Sequence, residues 1–199
     1  MALGQKKNVV VGAAGVYIAP VGTAKPAHAG GAVYRNEVDN AAAWRNVGFT
    51  QDGFEISYDP SYGEVEVDQL LDSVVIFKDG QSVSLSTTFA EATLENLLVA
   101  WGQASSVPVV TGADRTIVVK GGNLGEAPVE RALLAVGNAP KINVNDVSYG
   151  TRAILAYRVL SVESSAFSMA RADAATIPVT FRALPDDNGD YGTIVDYLT

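Results

Sequence analysis

Apolar and polar residues alternate in several stretches of the chain. Phe54, Ile56 and Tyr58 alternate with Glu55 and Ser57; Val83, Leu85, Thr87 and Phe89 alternate with Ser84, Ser86 and Thr88. Ile177, Val179, Phe181 and Ala183 alternate with Thr180 and Arg182. A period of two predicts antiparallel strands with one buried face. Two unbroken apolar runs, Val74-Val75-Ile76-Phe77 and Ile117-Val118-Val119, predict strands buried on both faces. Residues 152–162 predict a further long strand, and Gly15 to Ala19 and Arg45 to Phe49 predict shorter ones. Arg131 to Val136 fits helix or strand and is read as strand. One segment changes period: Leu94, Leu97, Leu98 and Trp101 form a single helical stripe. Thr93 is placed to cap it, Glu95 lies in its first turn and Gly102 follows its end, so a packing helix is predicted over 93–101. The pattern predicts a mainly β (α+β) protein, an antiparallel sheet with one covering helix.

One stretch does not fit a self-contained sheet. In Tyr58 to Asp72, Asp59-Pro60-Ser61 signals a turn. Glu64-Val65-Glu66-Val67-Asp68 then sets carboxylates on one face of a strand and valines on the other. A two-stranded ribbon alone does not bury such valines. The segment is either an ordinary sheet edge blunted by charge or an arm that packs on another molecule. Small and glycine-rich breaks at 24–31, 103–110 and 120–128, and an acidic turn at 185–192, punctuate the rest. None is long enough to divide the 199 residues, which are read as one domain.

Composition sharpens this picture. Hydrophobic residues make up 48% and charged residues only 18%, against roughly 25% in ordinary soluble domains. The low charge fraction hints at surface covered by partners. The net charge of −8 opposes wrapping of nucleic acid by phosphate neutralisation, but not its passage nearby. The 0 Cys exclude disulfides, thiolate zinc sites and thiol nucleophiles, and the 1 His excludes a multi-histidine metal centre. No apolar run reaches the length of a membrane helix. Lys6 and Lys7 ahead of Val9 to Ala19, with Ala27-His28-Ala29 beyond, make half of a secretory signal. Gly12, Gly15 and Pro20 interrupt it, so a basic arm followed by a first strand is the preferred reading.

Candidate chemistry is sparse. Asp186, Asn188 and Asp190 are spaced like the start of a calcium loop, but Tyr191 stands where glycine is needed and Tyr197 where a bidentate glutamate is needed. The glycines at 121–125 and 12–15 lack phosphate-loop and dinucleotide spacing. Glu91 and Glu95 are better explained by the helix than as a glycosidase pair. His28 has no evident partner. Trp44 is read as core or interface rather than as a sugar-stacking face. No catalytic, cofactor or metal residue is assigned.

The order of several segments resembles the tail tube (major tail) proteins of phages with long non-contractile tails. Those segments are Trp44-Arg45-Asn46-Val47-Gly48-Phe49-Thr50-Gln51-Asp52-Gly53, Glu55-Ile56-Ser57-Tyr58, Glu64 to Gln69, Asp72-Ser73-Val74, Ser84 to Leu97, Ile177 to Leu184 and Tyr191-Gly192-Thr193-Ile194. The likeness is dense over 44–101 and 177–197 and thin over 1–40 and 103–150. It implies a β-sandwich or barrel-like domain with a flanking helix, a hairpin arm at 58–72 and an N-terminal arm at 1–14, each reaching a neighbouring ring. It implies hexameric rings of self-associated copies, assembled in the host cytoplasm and stacked into a tube of the virion. It further implies other tail proteins at the tube ends, a tape measure protein in the lumen, DNA passing without specific binding, and no membrane. Tyr58, Tyr62, Val65, Val67, Leu70 and Leu71 would then form the interface, and Glu64, Glu66 and Asp68 would face the lumen or an interface. The alternatives are a secreted β-sandwich module for carbohydrate binding or adhesion, and a small hydrolase with paired carboxylates.

Overall fold

The alternating pattern becomes ten strands and two short α-helices in a computed structural model that describes residues 5–28, 34–66, 68, 72–103, 109–111, 113–142, 149–163, 165–167, 169, 171 and 173–197. In chain order these are β1 (Gly15–Pro20), α1 (Tyr34–Asp39), β2 (Arg45–Asn46), β3 (Thr50–Val65), β4 (Val75–Phe89), α2 (Leu94–Ala100), β5 (Val109–Thr111), β6 (Asp114–Thr116), β7 (Arg131–Ala139), β8 (Gly150–Ser161), β9 (Ile177–Leu184) and β10 (Gly192–Tyr197). β5 and β6 form a small separate hairpin. The remaining strands make one antiparallel sheet in the order β2-β1-β7-β8-β9-β4-β3, with β10 also paired to β8. β2 and β3 stand at opposite ends of that order yet are joined by only Val47 to Phe49. Val47 N–H donates to the Val16 carbonyl at 3.0 Å, and Ala90 N–H donates to the Phe49 carbonyl at 2.9 Å. The two ends of the sheet therefore meet, and the sheet curls into a barrel.

The barrel interior is the first core. Val16, Ile18, Leu85, Phe89, Leu133, Ala135, Ile177 and Phe181 fill it, with Leu97, Val99 and Ala100 of α2. A second core covers the outer face of β1, β7 and β8. Tyr17, Ala19, Leu134 and Val136 meet Tyr34 and Val38 of α1 and the Trp44 indole there. The Trp44 ring nitrogen donates to the Ala24 carbonyl at 3.0 Å. Successive residues of β1 and β7 thus alternate between two cores. These are the strands buried on both faces, and the unbroken apolar run 132–136 is the sign of it. α1 escapes sequence reading because one turn and a half gives no sustained period; only Tyr34 and Val38, four apart, mark its inward side.

Several sequence expectations need correction. Val74 to Phe77 are not doubly buried: they lie beyond the sheet, with Ile76 64% and Phe77 49% exposed. Ile117 to Val119 form no strand; Ile117 packs at the edge of the first core, while Val118 and Val119 face outward. Arg45 to Phe49 is regular only over β2, since Gly48 turns with φ 87° to cross between sheet ends. Asp59-Pro60-Ser61 is no turn but the middle of β3, an edge strand in which proline is tolerated. The Glu91 carboxylate, rather than pairing for catalysis, accepts the Phe49 N–H at 2.9 Å. His28 does have a partner: its Nδ1 lies 2.9 Å from Glu37 Oε2.

Helix α2 starts at the Thr93 cap, whose hydroxyl accepts the Asn96 N–H, and stops at Ala100. Leu97 and Leu98 are buried and Leu94 packs against the first core. Trp101 is the C-cap residue, 36% exposed, and leaves the stripe because the chain has already turned toward Gly102 at φ 61°. Asn96, fully buried, ties the helix to the crossing segment. Its Nδ2 donates to the Val47 carbonyl at 2.8 Å and the Glu91 carbonyl at 2.9 Å, while its Oδ1 accepts from Arg45 Nη1 at 2.8 Å. Replacing Asn96 by Ala strands two carbonyls and a guanidinium whose proton affinity is already lowered by burial. That should cost about 2–3 kcal/mol in denaturant unfolding, against about 1 kcal/mol for Thr93→Ala, which removes the cap alone.

β9 and β10 are two pieces of one broken strand along β8. β9 pairs with β8 from Ser161 to Arg158, and β10 continues from Ala156 to Thr151. The acidic turn between them closes on itself, with Asp186 accepting the Asn188 and Asp190 N–H groups at 2.9 Å each. Those backbone bonds, that from Asp190 first, hold its carboxyl below the ordinary aspartate range and occupy the oxygens a calcium ion would need. A two-pronged ion pair clamps β10: Arg152 Nε and Nη2 reach Asp196 at 2.6 and 2.8 Å, and this hydrogen bonding lowers the Asp196 pKa. A depressed carboxyl stabilises the fold above the ordinary carboxylate range and ceases to do so as pH falls through its folded value. Acid should therefore lower the protection of β10 amides relative to their intrinsic exchange rates at the same pH, as should Asp196→Asn at neutral pH, by an effect of about 1 kcal/mol or less for so exposed a pair.

Candidate assembly surface

β4 pairs with β9 only from Phe89 to Ser84, and there the two strands part. β3 and β4 continue together as an unsupported two-stranded ribbon whose last pair is Val65 with Val75. From Tyr58 to Val65 that is a projection of about 25 Å. Residues 66–74 connect the strands, so the arm is longer than 58–72 and includes most of β4. Val74 N–H closes the connection on the Val65 carbonyl at 2.9 Å. A ribbon this long has exposed faces and, among the described residues, an unpaired outer edge on each strand.

The pairing register assigns every side chain to a face, since residues directly opposite project to the same side. The first face continues the barrel interior outward: Leu85 with Ile56, Val83 with Tyr58, Gln81 with Pro60. The second face carries Ser86 with Glu55, Ser84 with Ser57, Ser82 with Asp59 and Gly80 with Ser61. Thr180 and Arg182 of β9, opposite Ser86 and Ser84, extend it. At its base, then, the ribbon has one apolar side and one side of hydroxyls with scattered charge.

A β-bulge interrupts the ribbon. Ser61 faces Gly80 but Tyr62 faces Lys78, leaving Asp79 as the extra residue. Beyond it the second face changes character. Gly63 lies opposite Phe77, whose ring sits over the glycine so closely that a β-carbon there would come within 2.7 Å of Cζ. Val65 then faces Val75. This end of the second face is wholly apolar, and its valines and phenylalanine are each about half exposed. The first face at the tip is mixed, with Tyr62 by Lys78 and Glu64 by Ile76. Lys78 Nζ donates to Tyr58 Oη and to Gln81 Oε1, which fixes that charge against the ribbon.

The expected interface residues are thereby placed. Tyr58 and Tyr62 are exposed on the first face and Val65 on the second. Glu64 is exposed on the first face, where the Ser73 hydroxyl donates to it; Glu66 and Asp68 are exposed at the connection. Val67, Leu70 and Leu71 lie outside the described residues. Of the helix residues, Leu94, Leu97 and Leu98 pack inward and Trp101 does not. Sequence reading missed Val75, Ile76 and Phe77 as surface residues, because an unbroken apolar run looks the same in a core and on an unsupported ribbon. The available signal was length: two alternating stretches around a short polar centre exceed any partner strand.

Residues 6–11 run along the end of β7. Asn138 Nδ2 donates to the Val11 carbonyl at 2.7 Å and Lys141 N–H to the Lys7 carbonyl at 3.1 Å. Val9 and Val11 remain exposed. Residues 1–4 of the N-terminal arm lie outside the described residues. Among the described residues no group of three or more His, Cys, Asp or Glu is placed to hold a metal ion. No helix of the described residues is long and apolar enough to cross a membrane.

The arm thus presents exposed apolar residues on both sides, a surface of the kind that marks interaction sites. Phage tail tube proteins are structural proteins of the virion that assemble with themselves and other tail proteins into a tube, and they are not enzymes. Among curated proteins none matches the chain. The family model described as phage tail tube protein matches residues 1–196, and the chain belongs to that family.

Proposed function

We propose that this chain forms hexameric rings that stack into a hollow tube through which DNA is ejected, and that the β3–β4 ribbon is the principal contact between rings. The projecting ribbon carries the reading. Isolated, it leaves Val65, Val75, Ile76 and Phe77 in water, each of which gains on the order of 1 kcal/mol or more on burial. Contact between the ribbon of one copy and a different surface of the next is heterologous. Such contacts close as rings or continue as open stacks, and a tube needs both. Residues 5–14, basic and valine-rich, are a second reach toward a neighbour.

The second face at the ribbon base supplies the lumen surface in this reading. Ser57, Ser82, Ser84, Ser86 and Thr88 present short hydroxyl side chains, with Glu55 and Asp59 as the carboxylates and Arg182 as the cation. A surface without lysine or arginine clusters offers phosphates no counterion release and hence no trap. Net negative charge repels the duplex over about 8 Å at physiological salt, which smooths passage. This moves the lumen assignment from Glu64, Glu66 and Asp68, which lie toward the arm's tip, to Glu55 and Asp59. Self-association, end proteins and a tape measure protein in the lumen are the partners; no cofactor takes part.

Two measurements test the reading. Val65→Asp with Val75→Asp should leave the circular dichroism spectrum of the domain unchanged and abolish tubes in electron micrographs, because burying an unpaired carboxylate costs several kcal/mol. Tubes of normal length from that variant would remove the ribbon from the contact. Glu55→Lys with Asp59→Lys should leave tubes intact but slow DNA ejection and make the tubes retain duplex DNA at low salt, with retention falling steeply as salt rises. Unchanged ejection with intact tubes would place the lumen elsewhere.

A further inference from the structure

The parting of β4 from β9 leaves an opening in the barrel wall. Among the described residues β10 pairs with β8 alone, and β4 from Val75 to Val83 pairs with β3 alone, so two edges without a described partner flank the gap. Between them lies an apolar groove of about 130 Å³ that reaches the first core. Ile56 and Val83 form one wall, Ile154, Tyr191 and Ile194 the other. Ile194 is 63% exposed, an isoleucine standing in water beside an unpaired backbone edge. Exposed apolar surface next to an open edge is a liability in a protein that stays monomeric.

The same chain carries a matching unsatisfied part. Past the Asp79 bulge, the tip's second face is an apolar patch of Val65, Val75 and Phe77 with no charged side chain on it. We propose that the tip of one copy seats this patch in the barrel opening of a second copy, Phe77 against Tyr191 and Ile194, covering the groove and the β10 edge together. The occupant is a second copy because the family assembles as a tube, and because groove and patch are both uncharged and both left over in every subunit. Within one chain the patch lies on the ribbon face opposite Ile56 and Val83, which wall the groove, and Phe77 and Ile194 are both left exposed. The contact is therefore heterologous and propagates. The bulge explains the change of face: the ribbon's base shows hydroxyls toward the lumen, and beyond it the same side must be dry. This inference rests on the tube reading and adds the partner surface to it.

The absence of cysteine permits a direct test. Disulfides form only where Cα atoms come within about 7 Å. In the double variant Phe77→Cys, Ile194→Cys, oxidation of assembled tubes should convert the monomer band into a ladder of covalent multimers. The dispersed protein and each single variant should stay monomeric. Independently, the unmodified chain should show slowed hydrogen exchange in β10 and in residues 75–77 on assembly. Tubes that give no ladder, or a β10 whose exchange is unchanged by assembly, would overturn the contact while leaving the tube reading standing. A ladder from Val10→Cys with Ile194→Cys in place of Phe77→Cys would assign the groove to the N-terminal segment and equally overturn it. If no tubes form from the unmodified chain or in the parent particle, the tube reading itself fails.

Discussion

Backbone hydrogen bonding is satisfied in a sheet only where a strand has neighbours on both sides, and in this molecule that condition ends at the pairing of Ser84 with Arg182. Up to that point the sheet closes on itself, because Val47 to Phe49 carry the chain from one end of the strand order to the other. Past it, among the described residues, β3 and β4 have only each other, and β10 has only β8. The separation is written into the side chains. The first face of the ribbon goes from the fully buried Phe89 and Leu85 to the half-exposed Tyr58 within a few residues, so the core does not stop so much as run out of covering partner. A domain of this size has enough apolar surface to fold alone. What it lacks is a cover for the part of its own sheet that extends outside.

Charge reinforces the division of labour between the ribbon's two faces. Carboxylates at Asp59, Glu64, Glu66, Asp68, Asp72 and Asp79 against the one lysine Lys78 make the arm strongly acidic. Dense like charge discourages unspecific edge-to-edge pairing of ribbons. The apolar patch at the tip is then the part that discriminates, since it can be buried only in a surface free of charge. The body of the barrel, by contrast, spends its charges locally: Arg152 with Asp196 and Arg158 with Glu130 clamp strands to each other, and Arg45 and Arg131 are folded inside near α2.

Sequence pattern carried much of this. The period-two stretches around Ile56, Leu85 and Phe181 are strands and the Leu94–Leu98 stripe is the helix; the acid–valine alternation from Glu64 to Asp68 reads as a strand, yet β3 ends at Val65 and Asp68 lies in a turn. The failures share one cause. Hydrophobic pattern reports that a segment will be buried, not by what. β1 and β7 read as modest strands yet lie between two cores, because α1 and Trp44 cover their far side and neither announces that role in sequence. Val74 to Phe77 read as deep core and are surface. Pro60 reads as a turn and sits in a strand, because an edge strand does not need every amide. Ile194 gave no signal at all, being one isoleucine in a short last strand; only the register that puts β10 beyond the end of β9 exposes it.

These two kinds of failure differ in meaning. Where a segment proves more buried than its pattern suggests, the fold supplies a cover from elsewhere in the chain, as α1 does for β1. Where a segment proves less buried than its pattern demands, the described residues hold no cover for it, which is what a surface meant for a partner would show. Val75, Phe77 and Ile194 belong to the second kind. Left in water they forgo free energy that burial against another copy would recover, so under the proposed stacking the stability of the tube and the packing of its subunits would be the same physical quantity read at two scales.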